Sequence, residues 1–550
     1  MDKYNEWLTN KFITEEDKEI LKNMTEEDIK ESFNNDLEFG TAGIRGVMGL
    51  GSSKMNKYTI GKVTVGLSNY LNKTYKNPKV VIAYDTRNNS KEFALDTALI
   101  LNYYGIKTYL FKEVTSTPEL AFSVKYLNCK AGIVITSSHN AKIYNGYKVY
   151  NSLGGQIVPP EDELIINEVN NVESFESIKK APLNNELFNY TDDSVHDEFI
   201  KENKKVIINQ NLINKYNKDI KITYSSLHGV GLKTSEARLN NLGFTNYSIV
   251  KDQCTYDGNF PTAPEPNPEY IENYDLAIEN AKENNSDIIL MTDPDADRLG
   301  VMYKNNNNEY ELINGDLLGA IFAYYIVNNS NIEDNSYMIR SIVTSPLIDK
   351  IAESKNISVY EVLTGCKNIA HTRHIEDEKG NNYLFGYEES LGYVFDIKVD
   401  DKDGFSSMIC ILEIMCYLKE NNISLEDYIN EIYTKHGYSL KETLNFTIKD
   451  INYKNIIKNL MNNFRNKTID LNDKNYILKD YLNEVGDNNT NALKYMYSDS
   501  SWIMIRPSGT EPKIKVYIGT NKDSKEESIN KLNIIKNEIN SIIEKNLTNI

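Results

Sequence analysis

Along this 550-residue chain, a short apolar run ends six times in a polar, turn-rich cluster. Val80-Val-Ile-Ala-Tyr84 runs into Asp85-Thr-Arg87, and Ala131-Gly-Ile-Val-Ile135 into Thr136-Ser-Ser-His-Asn140. Lys221-Ile-Thr-Tyr224 leads to Ser225-Ser-Leu-His-Gly-Val-Gly231, and Asp287-Ile-Ile-Leu-Met291 to Thr292-Asp-Pro-Asp-Ala-Asp297. Tyr337-Met-Ile-Arg-Ser-Ile-Val343 enters Thr344-Ser345, and Tyr383-Leu-Phe385 enters Gly386-Tyr-Glu-Glu-Ser390. Helix-compatible stretches such as residues 92–104 and 273–284 separate many of these strands. Strands alternating with helices give α/β layers, in which ligands sit beyond the carboxyl ends of strands. The clusters come two at a time in three successive regions, so three related α/β domains with mixed sheets are expected.

The two ends differ from this pattern. Residues 1–35 are acidic and helical, with Thr25-Glu-Glu-Asp28 as a helix start. Near the other end, Trp502-Ile-Met-Ile505 and Lys513-Ile-Lys-Val-Tyr517 read as strands flanking Arg506-Pro-Ser-Gly-Thr-Glu-Pro512. A helix with Ile529, Leu532, Ile535, Ile539, Ile542 and Ile543 on a 3-4 spacing follows. One strand pair under one helix predicts a smaller C-terminal α+β domain. The expected divisions are 1–205, 206–311, 312–435 and 436–550.

Charge and composition exclude several classes of function. With 61 Lys+Arg against 79 Asp+Glu the net charge is -18, the wrong sign for a nucleic-acid binder. Any anionic ligand must therefore be held by local cations. Five scattered cysteines make neither a disulfide framework nor a CxxC metal site and read as small core residues in a reducing compartment. The first twenty residues lack the apolar core of a secretory signal. The longest apolar run, 317–327, falls short of the ~18 residues a membrane span needs. A cytoplasmic protein without membrane partners is expected, and Asn305 to Asn308 reads as an exposed turn.

Several clusters carry side chains with chemistry. Asp293, Asp295 and Asp297 alternate after an apolar strand, which would turn three carboxylates to one side of an extended loop. Their repulsion calls for a hard divalent cation such as Mg²⁺. A calcium loop starting at Asp293 fails, because Arg298 and Lys304 occupy the positions that need Gly and Glu. The alternative is a solvated acidic turn. Thr136-Ser-Ser-His-Asn140 reads either as a helix cap or as a serine nucleophile or phosphate carrier beside a histidine. A G-x-S-x-G elbow is absent, against an α/β-hydrolase. Lys148, past Asn145-Gly146, is either a surface lysine or a donor and proton-transfer group. Arg506-Pro-Ser-Gly-Thr510 offers a guanidinium, two hydroxyls and a glycine suited to a phosphate dianion, or forms a plain hairpin. Gly40-Thr-Ala-Gly-Ile-Arg-Gly46 either wraps an anion or makes a tight turn, and Glu388-Glu-Ser390 supplies acceptors for sugar hydroxyls.

Together these motifs resemble the α-D-phosphohexomutase family, closest to its phosphoglucomutase-2-like branch. The arginine loop (41–49), serine loop (136–150), metal loop (293–300), sugar loop (386–393) and phosphate loop (506–517) follow the family order, and Ser225 to Gly231 and Lys402-Asp-Gly404 also look like family segments. The resemblance implies four domains around a central cleft, the fourth mobile. It implies that Ser138 is phosphorylated and that its phosphoryl group shares Mg²⁺ with Asp293, Asp295 and Asp297. It further implies Arg298 as the group that orients the phosphoryl, with Lys148 and Arg45 for proton transfer and charge stabilisation and His139 and Lys402 as further candidates. An arginine is normally too basic to act as a base, which favours Lys148 in that role. Glu388 and Ser390 would hold sugar hydroxyls, Arg506, Ser508, Gly509 and Thr510 the non-reacting phosphate, and Gly365 and Lys367 would add a contact. Two positions depart from the family pattern: Ser137 stands where Ala or Gly is usual, and Ala141 where Pro is common.

The expected function is that of a glucose-preferring member. It would interconvert glucose 1-phosphate and glucose 6-phosphate, with glucose 1,6-bisphosphate as activator and intermediate and a small phosphosugar as partner, in a monomer or dimer. Mannose or pentose phosphates are alternative substrates. More distant alternatives are an aspartyl-phosphate phosphatase using Asp293, which would want Thr or Val where Asp297 stands, and an inactive phosphosugar-binding protein.

Overall fold

The computed structural model describes residues 2–37, 43–450, 452–467, 471–483, 489–508 and 512–548. It divides into two compact units, one of residues 1–315 and 366–422, the other of residues 316–365 and 423–550.

The first unit opens with short helices Asp2–Thr9, Glu15–Lys22 and Glu26–Phe33. The last starts at the predicted place, where the Thr25 hydroxyl accepts from the Asp28 N–H and the Asp28 carboxylate accepts from the Thr25 N–H at 3.1 Å. Six strands follow: Gly43–Val47 (β1), Lys79–Tyr84 (β2), Lys107–Leu110 (β3), Ala131–Ile135 (β4), Tyr144–Tyr150 (β5) and Phe188–Tyr190 (β6). They form one mixed sheet in the order β1-β5-β4-β2-β3-β6. β2 and β4 pair in parallel at its centre, and every residue of β4 is buried. Strands covered on both faces read as unbroken apolar runs, which is why these two stand out in the sequence. Helices Lys57–Thr74, Ser90–Tyr103 and Thr117–Tyr126 supply the connections.

The second sheet of this unit contains Ile222–Ser225 (β7), Tyr247–Ile249 (β8), Ile288–Thr292 (β9), Leu299–Lys304 (β10) and Tyr310–Ile313 (β11), ordered β11-β10-β9-β7-β8. The β10–β11 turn holds Asn305 to Asn308. Asn306 to Asn308 are exposed as expected, but Asn305 is buried, its side chain accepting from the N–H groups of Asn307 and Glu309. Of the next four strands, Ser336–Ser341 (β12) and Ser358–Val362 (β13) pair in parallel within the second unit, while Asn382–Glu388 (β14) and Gly392–Phe395 (β15) pair antiparallel within the first.

The C-terminal part of the second unit is larger than the strand pair read from the sequence. Tyr438–Thr447 (β16), Tyr476–Asp480 (β17), Leu493–Tyr497 (β18), Trp502–Pro507 (β19) and Lys513–Lys522 (β20) make one sheet in the order β16-β20-β19-β18-β17. Helices Tyr453–Arg465 and Lys525–Thr548 share its core, with Leu460, Phe464, Ile535, Ile539 and Ile543 buried against Ile503, Ile505 and Val516. β16 and β17 are half-buried and carry Lys, Glu and Asn among their apolar residues, which hid them. Of the six apolar positions predicted for the last helix, Ile529 stays exposed.

This unit also contains a partly buried ion network. The Arg340 guanidinium forks onto Asp349 at 2.7 Å and reaches Glu361 at 2.9 Å, and the Lys494 ammonium donates to the same Glu361 at 2.7 Å. Burial opposes ionisation of Glu361, but Lys494 and Arg340 outweigh it and hold its carboxyl down at about 2. The five cysteines are buried and free. Among the described residues no helix is long and apolar enough to cross a membrane.

Candidate active site

Ser138 stands just past the end of β4 in the left-handed region, at φ +51°. For a residue with a side chain this conformation costs about 1–3 kcal/mol and persists only where surroundings impose it. Here the Ser138 N–H donates to the Thr136 hydroxyl at 2.9 Å, which donates in turn to Asp85 at 2.6 Å. No helix follows, so the helix-cap reading does not hold; the chain turns back into β5. That return is tight. A Cβ on Gly146 would lie 2.4 Å from the Thr136 carbonyl oxygen, so only glycine fits there.

The Ser138 hydroxyl donates to Asp293 Oδ2 at 2.7 Å and lies 3.1 Å from His139 Nδ1. Asp293, Asp295 and Asp297 are fully buried, with one carboxylate oxygen from each within 4.8 Å of the others. The solvated-turn reading therefore fails. The carboxylates also converge by a different route from the extended loop expected: residues 293–298 form a turn, with Ala296 left-handed at φ +56°. Two backbones press on this turn. Val230 N–H donates to the Pro294 carbonyl at 2.9 Å, and a Cβ on Gly229 would sit 2.2 Å from Pro294 Cα. Gly404 N–H donates to the Ala296 carbonyl at 3.2 Å.

Asp295 Oδ1 and Asp297 Oδ1 are buried without a hydrogen-bond partner. Buried carboxylate oxygens left in that state are costly, and three hard oxygen donors in one turn are the set that suits Mg²⁺. The residues present thus fit a divalent cation. Burial, then repulsion from Asp295 and Asp297, pushes the Asp293 carboxyl well above its usual range. Burial opposes ionisation of Asp295 too, but Lys148 and Asp293 together outweigh it and hold Asp295 low.

Cations ring the cluster. Lys148, buried on β5 and no surface lysine, reaches Asp295 Oδ2 at 2.8 Å and Asp297 Oδ2 at 3.6 Å. The Lys402 ammonium donates to Asp297 at 2.7 Å and lies 3.6 Å from Asp401; against the cost of burial, these two carboxylates raise its titration well above the usual lysine range. Arg298 donates its backbone N–H to Asp293 at 3.1 Å, and its guanidinium lies 3.9 Å from Glu269 and from Asp297. Arg45 is on the edge strand β1, not in a tight turn, and donates to Asn140 Oδ1 at 2.9 Å. Burial, then the positive charge of Arg298 and Arg45, holds His139 well below the usual imidazole range, so it is neutral at pH 7.

The remaining predicted residues come from both units. Glu388 is buried at the end of β14, and Ser390 sits in the following turn. Lys367 lies in helix Cys366–Glu378, where burial lowers its titration against the pull of Asp162. Gly365, Arg506 and Ser508 belong to the second unit. There Arg506 is the next-to-last residue of β19 and donates to the Thr364 hydroxyl at 2.5 Å, and Ser508 N–H closes the β19–β20 connection onto the Lys513 carbonyl at 2.8 Å. Gly509 and Thr510 lie outside the described residues, as do the first residues of the arginine loop.

Two contributors were not legible in advance. The Thr117 hydroxyl donates to Asp295 Oδ2 at 2.8 Å and its N–H to the Asp295 carbonyl at 3.0 Å. Its sequence signal, Ser116-Thr-Pro-Glu119, announces only a helix start, which it also is. Asp401 accepts from Tyr150 at 2.7 Å and Gln156 at 2.9 Å beside Lys402, with no motif to mark it.

Chemically, a strained serine hydroxyl aimed at hard oxygen donors and surrounded by ammonium and guanidinium groups suits transfer of an anionic group such as phosphoryl. Comparison with known proteins agrees with this class. The phosphoglucomutase/phosphomannomutase alpha/beta/alpha domains I, II and III match residues 36–176, 197–307 and 314–436, and the C-terminal domain of that family matches 469–532. A phosphoglucomutase of Staphylococcus haemolyticus is 35% identical over 90% of this chain and 93% of its own. One from Staphylococcus saprophyticus is 34% identical over 96% and 98%. The crystal structure of pp63/parafusin, a phosphoglucomutase from Paramecium, shares the fold with a TM-score of 0.72 at 18% identity, covering 92% of this chain and 94% of that one. The chain belongs to the phosphoglucomutase/phosphomannomutase family, with its three α/β domains and smaller C-terminal domain, and is an enzyme of the isomerase class.

Proposed function

We propose that this chain is a magnesium-dependent phosphoglucomutase that interconverts glucose 1-phosphate and glucose 6-phosphate through a phosphoserine at Ser138 and a glucose 1,6-bisphosphate intermediate. The observation that carries the reading is the Ser138 hydroxyl, held at φ +51° and 2.7 Å from the buried three-aspartate cluster. Asp293, Asp295 and Asp297 would hold Mg²⁺. When bound, the ion offsets negative charge on the phosphoryl oxygens.

The residues of the chain do the rest. In the first half-reaction a sugar hydroxyl attacks phosphorus on Ser138. The new O–P bond forms as the Oγ–P bond breaks, and the proton leaving the sugar ends on Ser138 Oγ with Lys148 as relay. In the second half, the other phosphate of the bisphosphate returns to Ser138 and the proton moves back. Arg298 orients the transferring group, and Arg45 and Lys402 offset its charge. Neutral His139 faces the serine oxygen. Glu388 and Ser390 hold sugar hydroxyls, while Gly365 and Lys367 add a contact. We assign the non-reacting phosphate to Arg506, Ser508, Gly509 and Thr510 on the strength of the loop's composition. Exclusion of water protects the phosphoserine from hydrolysis.

Use of Asp293 as a phosphatase nucleophile is disfavoured, because Oδ2 accepts from Ser138 and Oδ1 from Arg298 N–H. A metabolic enzyme with a phosphosugar substrate and five free thiols fits the cytoplasm. The test is coupled turnover of glucose, mannose and ribose 1-phosphates with and without glucose 1,6-bisphosphate. The reading expects glucose 1-phosphate to be fastest and dependent on bisphosphate. A preference for ribose 1-phosphate would make the chain a pentomutase, and no turnover of any would leave a binding protein.

A further inference from the structure

Asp85-Thr-Arg87 is a polar cluster beside the serine loop that the proposed chemistry does not use. Arg87 lies past the end of β2 and is almost wholly buried. Its guanidinium gathers the serine loop. One terminal nitrogen donates to the carbonyls of Ala141 at 3.0 Å and Tyr144 at 3.1 Å, and the other donates to the carbonyls of Ser138 and Asn140. Nε lies 3.3 Å from Asp85 Oδ2, the carboxylate that also accepts from Thr136. Four carbonyl oxygens aimed at one buried point repel each other unless a cation with several diverging N–H groups sits among them. A guanidinium meets that need, and a lysine ammonium does not match its planar fork.

The far face of Arg87 is closed by the other α/β layer of the same unit. The Phe260 ring stacks on the guanidinium with its centroid 4.8 Å from Cζ, and Phe260 itself is fully buried. Its neighbour Thr262 meets His228 Nε2 at 2.8 Å, and His228 sits in the loop whose Gly229 and Val230 press on Pro294 of the metal turn. The His228 and Phe260 rings lie 6.5 Å apart, so contacts run from the metal turn through the 228–230 loop and Phe260 to Arg87, and from Arg87 to the backbone of Ser138.

We propose that Arg87, seated against Phe260, is a positioning residue that fixes the backbone of residues 138–144 so that the Ser138 hydroxyl points at the aspartate cluster. It touches neither substrate nor reacting atoms and acts through the serine loop. This inference rests on the assignment of Ser138 as the phosphoryl carrier.

The test compares wild type with Arg87→Lys and Phe260→Leu. The second variant keeps the guanidinium and removes only the ring that seats it, so the proposal stays testable if the first folds poorly. Arg87→Lys is expected to lower kcat by about 100-fold, the scale of an ångström misplacement of a reacting group, with KM for the sugar phosphate unchanged. Phe260→Leu is expected to lower kcat by about tenfold with the same unchanged KM. In both, amide exchange of the peptide spanning residues 136–144 rises while that of β2 and β9 stays at the wild-type level. Exchange in 136–144 that does not move in either variant overturns the proposal, whatever the activity. So does a fall in kcat matched by a rise in KM and by faster exchange throughout the unit, which would mark a purely structural residue. An inactive wild type whose exchange still responds to Arg87→Lys would instead sink the mutase assignment and leave the splint standing.

Discussion

Replacing Ser138 by glycine and by alanine separates what the residue does from what its backbone costs. Both substitutions delete the nucleophile, and both delete the 2.7 Å hydrogen bond to Asp293, so those losses cancel in the comparison. What differs is the conformation at φ +51°. Alanine in the left-handed region costs about 1–2 kcal/mol, which glycine avoids. Glycine gives back about 0.4–1 kcal/mol through a freer unfolded chain. The balance leaves Ser138→Gly more stable than Ser138→Ala by about 1 kcal/mol, the reverse of the usual order of these residues within a helix or strand. In a unit of several hundred residues that is a difference of about 1–2 °C in melting temperature, best read by paired scanning calorimetry with amide exchange of residues 136–143 as a local check. Neither variant should turn over sugar phosphate. If alanine proves as stable as glycine, the left-handed serine is not imposed by its surroundings, and the argument for a pre-set nucleophile falls.

Three other outcomes follow from the geometry. Glu361 titrates at about 2 when folded against an ordinary 4.5, so its ion pairs contribute about 3 kcal/mol that is fully present above pH 4.5 and lost as pH falls through 2. Glu361→Gln should therefore destabilise the second unit at pH 7 and flatten its acid denaturation between those values, and an unchanged acid profile would refute the network's role. Asp297→Asn removes one buried carboxylate from the cluster and should weaken Mg²⁺ activation by at least about tenfold, seen as a shift in the magnesium titration of the rate. Gly229→Ala places a methyl 2.2 Å from Pro294 Cα, which should cost about 1–3 kcal/mol of stability and weaken magnesium activation with it; wild-type values for both would show that the turn has room to spare.

The legible part of this protein was the part with strong periodicity or a dense motif. β2, β4 and β9 are buried on both faces, so their apolar runs needed no context. Asp293, Asp295 and Asp297 were visible because three alternating acids beyond such a strand are hard to leave without a cation. Their geometry was not, since Ala296 turns left-handed where alanine gives no warning. β16 and β17 were hidden by half-exposed faces that mix Lys, Glu and Asn with apolar residues. Thr117 meets Asp295 from 178 positions away, Asp401 meets Tyr150 from 251 and Arg87 meets the Ser138 carbonyl from 51; no local pattern records such contacts.

The central claim is that Ser138, and not its neighbour Ser137 or an aspartate, carries the phosphoryl group. Fragment-ion mapping of the protein after incubation with glucose 1,6-bisphosphate and Mg²⁺ tests it directly. The account predicts an added mass of about 80 Da on Ser138, removed again by excess glucose 1-phosphate. Phosphate located on Ser137, on Asp293 or on no residue at all would contradict it.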